Sequence, residues 1–197
     1  MGSTWMVVLA WLVVLALWGA AVYNRLRLLR NRVENAWSQI DVQLKRRHDL
    51  IPNLVEVARG YMQHEASTLE AVARARSQAV QASEALRGHT GQAQALGALA
   101  AAEQALGSSL GRLMVVAEAY PELKADAQMQ SLSEEIASTE NRIGFARQAY
   151  NDEVMAFNNK ASQFPDLIWA RLLGFAHMDM LQSTMNAQER QAPSVRF

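Results

Sequence analysis

Apolar positions are unbroken at the start of the chain and periodic after it. Residues 5–22 (WMVVLAWLVVLALWGAAV) carry no charged side chain. As a helix they would span roughly 27 Å at ~1.5 Å per residue, close to the ~30 Å hydrocarbon core of a bilayer. Trp5 stands at one end and Trp18 with Tyr23 at the other, where amphipathic rings favour the interface, and Arg25, Arg27, Arg30 and Arg32 follow at once. The pattern predicts a transmembrane anchor over residues 1–24, the N-terminus outside and everything after it in the cytoplasm. Positive charges that follow the apolar run rather than precede it argue against a cleaved leader. Met6, where a myristoylation signal wants Ser or Thr, argues against a lipid on Gly2.

Beyond the anchor, Leu26, Val33 and Ile40 recur at seven-residue steps, interleaved with Trp37, Leu44 and Ile51. That three–four spacing belongs to a helix burying one seam, continuous with the anchor. Pro52 removes a backbone donor and predicts either a kink or a new segment there. Ser67 with Glu70 has the form of a capping box for a second helix, ending near Gly88 in a His89-Thr90-Gly91 turn. A third helix, rich in alanine and glycine, is expected from Gln92 to about Ala119, before Tyr120-Pro121. The last long helix shows Met129, Ile136, Ile143, Tyr150, Phe157 and Phe164 at strict seven-residue steps, a seam ended by Pro165. A short helix from Leu167 to Leu173 and a stop at Gly174 follow. The fold class expected is all-α: an N-terminal transmembrane helix, a helical bundle over residues 25–185, and a polar tail over 186–197.

Composition narrows the chemistry. The 197 residues contain no cysteine, which excludes disulfides, thiolate zinc sites and thiol nucleophiles. Nineteen basic and nineteen acidic side chains leave no net charge, so no nucleic-acid partner is expected. Gly107-Ser-Ser-Leu-Gly111 matches the nucleophile-elbow string, but inside a helix it reads as small residues for close helix packing. His48-Asp49 and His64-Glu65 are adjacent pairs that diverge around a helix, so they read as a polar surface and a helix-terminus histidine rather than a metal site. Lys45-Arg46-Arg47 reads as a solvated face paired with Asp41 and Asp49. Asn151 and Asn158 trail Tyr150 and Phe157 by one position each, placing two amides beside the aromatic seam, available for bonds across helices.

The run ENAWSQIDVQLKRRHDLIPNLVE over residues 34–56 resembles the LemA family of bacterial membrane-anchored proteins. So do Tyr120-Pro-Glu-Leu-Lys124, Glu140-Asn-Arg-Ile143, Ala146-Arg147, Tyr150-Asn151, Phe164-Pro165 and the closing Ala192-Pro-Ser-Val-Arg-Phe197. The resemblance covers nearly the whole chain. It implies one transmembrane helix followed by an up-and-down four-helix bundle, a turn near residues 64–67, and the bacterial inner membrane as location. It brings no catalytic residues. Met129 stands where the family usually has phenylalanine, and Met180-Leu181 replaces an aromatic pair.

An anchor and a long helical surface without convergent reactive groups point to binding rather than catalysis. The function expected is a non-enzymatic membrane scaffold or adaptor. It would act by self-association or by docking another membrane protein, with a membrane-remodelling assembly as the alternative. No cofactor and no metal are expected. The residues expected to matter are Trp5, Trp18, Tyr23, Arg25 and Arg27 in the anchor, with Trp37, Ile40, Leu44, Tyr150, Phe157 and Phe164 in the bundle seam or interface.

Overall fold

A computed structural model describes residues 2–87 and 92–181. Its first element is a single helix, α1 (Gly2–Tyr61), in which the apolar run passes into the seam without a break. Apolar residues 5–17 of α1 are exposed, whereas Val22, Leu26, Leu29, Val33, Trp37, Ile40 and Leu44 are buried. Within α1 an 18-residue window is long and apolar enough to cross a membrane.

Pro52 neither breaks α1 nor starts a new segment. Proline's missing N–H orphans the carbonyl one turn earlier, that of His48. Arg76 Nε donates to this oxygen at 2.6 Å from the neighbouring helix, so a side chain replaces the lost backbone bond.

α2 (Ala66–Leu86) follows a turn at residues 62–65 and runs back along α1, with Arg76 beside His48 and Ser83 beside Asp41. The expected capping box is not used. α2 begins at Ala66 with Glu65 as N-cap and no side-chain cap bond, which leaves Ser67 already inside the first turn. The turn expected at residues 88–91 lies outside the described residues. α3 (Ala93–Ala117) antiparallels α2, and the short α4 (Pro121–Ala125) starts with proline at its first position, where the absent N–H costs nothing.

α5 (Ala127–Ser162) returns along α1 with Trp37 against Tyr150, ring centroids 6.0 Å apart. Its N-cap is Asp126, whose carboxylate accepts from Met129 N–H at 2.9 Å and from the Tyr61 hydroxyl at 3.0 Å. The Met129 N–H first, then Tyr61, hold the Asp126 carboxyl below its ordinary value. A depressed carboxyl stabilises the fold above its unfolded pKa of about 4 and stops doing so as pH falls through the lower folded value. Asp126→Ala should therefore lower the urea midpoint at pH 7. The gap to the parent should close as pH drops below about 4; a gap that is constant with pH would exclude this role.

α6 (Asp166–Leu172) follows α5 across a cis Phe164–Pro165 bond and ends at Gly174, whose φ of +74° suits glycine as the residue past a helix end. Among the described residues there is no strand, and α1, α2, α3 and α5 form the bundle. The expected tail over residues 186–197 lies outside the described residues.

Candidate functional site

Two apolar clusters make up the bundle core. One holds Leu26 to Leu44 of α1 with Leu96, Leu99, Ile143, Tyr150, Val154 and Phe157. The other holds Ile51, Leu54, Met62, Val72, Leu106, Leu113 and Met129. Between them, every bundle helix contributes a polar residue: Arg47 and His48 from α1, Ser83 from α2, Glu103 from α3, Thr139 and Glu140 from α5.

At the centre of this layer is the Glu103 carboxylate, 7% exposed. One oxygen accepts from Arg47 Nη2 at 2.5 Å and the other lies 2.8 Å from His48 Nε2. Arg47, 3% exposed, also pairs through Nη1 with Glu140 of α5. Burial pulls the Arg47 guanidinium below its ordinary value, and Glu103 opposes that shift. Arg147 is lowered in the same way, again against the pull of Glu103. The chemistry is charge compensation that ties α1 to α3 and α5 at one height. Because a one-step slip would bury an unpaired charge, such a layer fixes helix register.

These residues correct the reading of the basic run. Arg47 and His48 are core groups, and Arg46 reaches α5, donating to Glu135 through Nε at 3.1 Å and Nη2 at 2.5 Å. Asp41 pairs with Ser83 of α2 and with Arg87 just past its end rather than with Lys45. Arg47 and His48 sit on the buried seam of α1 and meet partners from other helices, while Lys45 and Arg46 are exposed. The signal was present in the seam itself: Arg47 falls seven residues after Ile40, and Glu103 falls midway between Leu96 and Leu110.

Beside the layer, a groove of about 350 Å³ opens between α3 and the chain after α6, lined by Leu96, Gly97, Ala100, Arg147, Asp179 and Leu181 among others. Residues 175–181 descend from α6 as an extended strap along α5. Asn158 donates to the Met178 carbonyl at 2.8 Å and accepts from its N–H at 3.0 Å. Asn151 does the same to Leu181, both bonds at 2.8 Å. Seven helical residues rise about 10 Å and three extended residues advance about the same, so heptad-spaced asparagines match every third residue of the strap. The amides thus bind irregular backbone rather than a neighbouring helix. Asn158→Ala should cost about 1–3 kcal/mol by leaving buried backbone groups unpaired. Hydrogen exchange should show loss of protection at Met178 N–H while the middle of α5 stays protected.

Trp37, Ile40, Leu44, Tyr150 and Phe157 are brought together in the first cluster. Phe164 is not among them. It is 77% exposed: α5 ends at Ser162 and Gln163 is already extended, so the helical seam does not reach it. Trp5 is exposed, whereas Trp18 meets Trp169 edge to face at 6.0 Å and Tyr23 meets Phe175 at 5.8 Å. Arg25 and Arg27 are exposed one turn further.

Gly107-Ser-Ser-Leu-Gly111 lies inside α3, with both serine hydroxyls bonded to carbonyls of their own helix. It does not serve close packing either: a Cβ at Gly107 or Gly111 would meet nothing within 4 Å. Among the described residues no group of three or more His, Asp or Glu is placed to hold a metal ion.

The model of the LemA family matches residues 36–197. "Magnetosome protein MamQ 2" of Paramagnetospirillum magneticum is 26% identical over 175 residues, covering 81% of this chain and 64% of that protein. "Magnetosome protein MamQ" of Magnetospirillum gryphiswaldense is 24% identical over 172 residues, covering 80% of this chain and 63% of that protein. The chain thus spans less than two thirds of the length of these relatives.

Proposed function

The chain belongs to the LemA family, and on that premise we propose that it is a non-enzymatic, single-pass scaffold or adaptor of the bacterial inner membrane. The N-terminus lies outside and the bundle lies in the cytoplasm. It works by self-association, by docking another membrane protein, or both. The observation that carries this reading is α1. One uninterrupted helix exposes its apolar first third and buries its remainder in the bundle core, with no linker between anchor and bundle. A bundle built on its own anchor holds whatever it binds at a fixed height and angle to the bilayer.

Docking would use exposed apolar side chains on the bundle. The register that opposes Trp37 with Tyr150 and Arg47 with Glu140 puts Val42 of α1 and Phe145 of α5 at one level, and both are exposed large apolar side chains. The docking reading takes these two side chains as its contact positions. The test is in-cell crosslinking of the full-length protein carrying a C-terminal tag. It should give a near-stoichiometric adduct with itself or with one other membrane protein. Phe145→Glu should abolish that adduct while stability stays within about 0.5 kcal/mol of the parent. A chain that remains uncrosslinked at saturating reagent is not a scaffold.

A further inference from the structure

We propose that α6 and the turn before it form a second membrane contact, lying in the headgroup layer of the leaflet from which α1 emerges into the bundle. This rests on the reading that the start of α1 crosses a bilayer, and adds a lipid-binding element to it. Ile168 and Leu172, four residues apart in α6, share one face, and Phe164 in the turn before it is exposed as well; the exposures are 57%, 74% and 77%. The opposite face, Asp166 and Ala170, is buried against the bundle, and Lys160 Nζ pairs with Asp166 at 2.5 Å. α6 thus buries Asp166 and Ala170 against the bundle and turns large aliphatic side chains outward, where a helix facing water would carry polar ones.

Its position identifies the occupant. Trp169 of α6 lies flat on α1 where Gly19 leaves room; a Cβ there would sit 3.0 Å from the ring. With Trp18 against Trp169 and Tyr23 against Phe175, α6 sits at the level of residues 18–23. There the apolar run ends and the arginines begin. Any bilayer that covers the exposed side chains of residues 5–17 ends at this height, so the α6 stripe continues the same apolar surface sideways. The rings of Trp18, Trp169 and Tyr23 gather where aromatic residues favour the interface. Arg171, exposed in the last turn of α6, and Arg25 and Arg27 supply cations at the depth of anionic headgroups. The occupant is therefore lipid, and the bundle is held at two points: a span, and a wedge beside it.

The absence of native cysteine makes each introduced thiol unique. Full-length Phe164→Cys, Ile168→Cys and Leu172→Cys would carry a nitroxide in liposomes of zwitterionic and anionic phospholipid, with Leu9→Cys in the span and Val115→Cys on the far part of the bundle as references. The readout is relative accessibility to oxygen, which partitions into lipid, and to a polar nickel chelate. All three α6 labels should shift toward the oxygen-favoured value of Leu9 and away from that of Val115. If Leu9 reads as lipid while the α6 labels read as water, or as immobile and closed to both reagents because protein covers them, the second contact is wrong and the span stands. If Leu9 itself reads as water, the membrane reading falls, and this inference with it.

Discussion

Glu103→Ala should destabilise the bundle by about 3–5 kcal/mol, the loss typical when one partner of a buried ion pair is removed. The mutation leaves the Arg47 guanidinium in the core with only Glu140, whose side chain is half exposed, and strips His48 of its side-chain partner. The penalty comes from the stranded charge rather than from a strong net attraction. Replacing both members, Arg47→Met with Glu103→Leu, should therefore recover much of the loss. Urea unfolding of Arg47→Met, Glu103→Leu and the double variant completes the cycle. If Glu103→Ala unfolds at the parent midpoint, the layer carries no structural weight. If the double variant is stable but packs as a mixture of states, the layer's contribution is to register.

Phe157→Ala should cost a similar amount, about 3–5 kcal/mol, for a different reason: it opens a cavity where the ring packs beside Phe175 in the first cluster. For a chain of this size that corresponds to a fall in melting temperature on the order of 10 °C. Phe164→Ala, at the next heptad step, removes an exposed ring and should leave the melting temperature of the protein in detergent nearly unchanged. The contrast separates a core position from a surface one within a single sequence pattern. A Phe157 variant that melts like the parent but loses crosslinked adducts would make this seam an interface.

Periodicity was informative wherever burial follows from spacing along one helix. The seam from Leu26 through Ile40 and the seam from Ile143 through Phe157 could be read because the same physics, one apolar stripe per helix, decides both pattern and packing. Phe164 shows where that fails. A seven-residue step continues as arithmetic after the helix has ended: α5 stops at Ser162, Gln163 is extended, and the Phe164 ring is exposed. The basic run failed for a different cause. Local i,i+4 pairing is the only partner a sequence offers by spacing, whereas Arg47 is paired with Glu103 and Glu140 across the bundle. Its place on the seam was legible; its partners were not. Nor was the asparagine strap, because the groups it holds are backbone atoms of an irregular segment that carry no residue-type signature. Pro52 left kink and break open, and the outcome turned on Arg76, a residue of another helix supplying the missing donor.

In the proposed topology one helix is both the membrane span and the first helix of the bundle. Single thiols at Ser3, before the span, and at Asp152, exposed on α5, test it in spheroplasts with a membrane-impermeant maleimide. Ser3→Cys should be labelled in intact spheroplasts and Asp152→Cys only after lysis. Labelling of both positions, or of neither, without lysis would contradict the span, and labelling of Asp152→Cys alone would reverse its orientation.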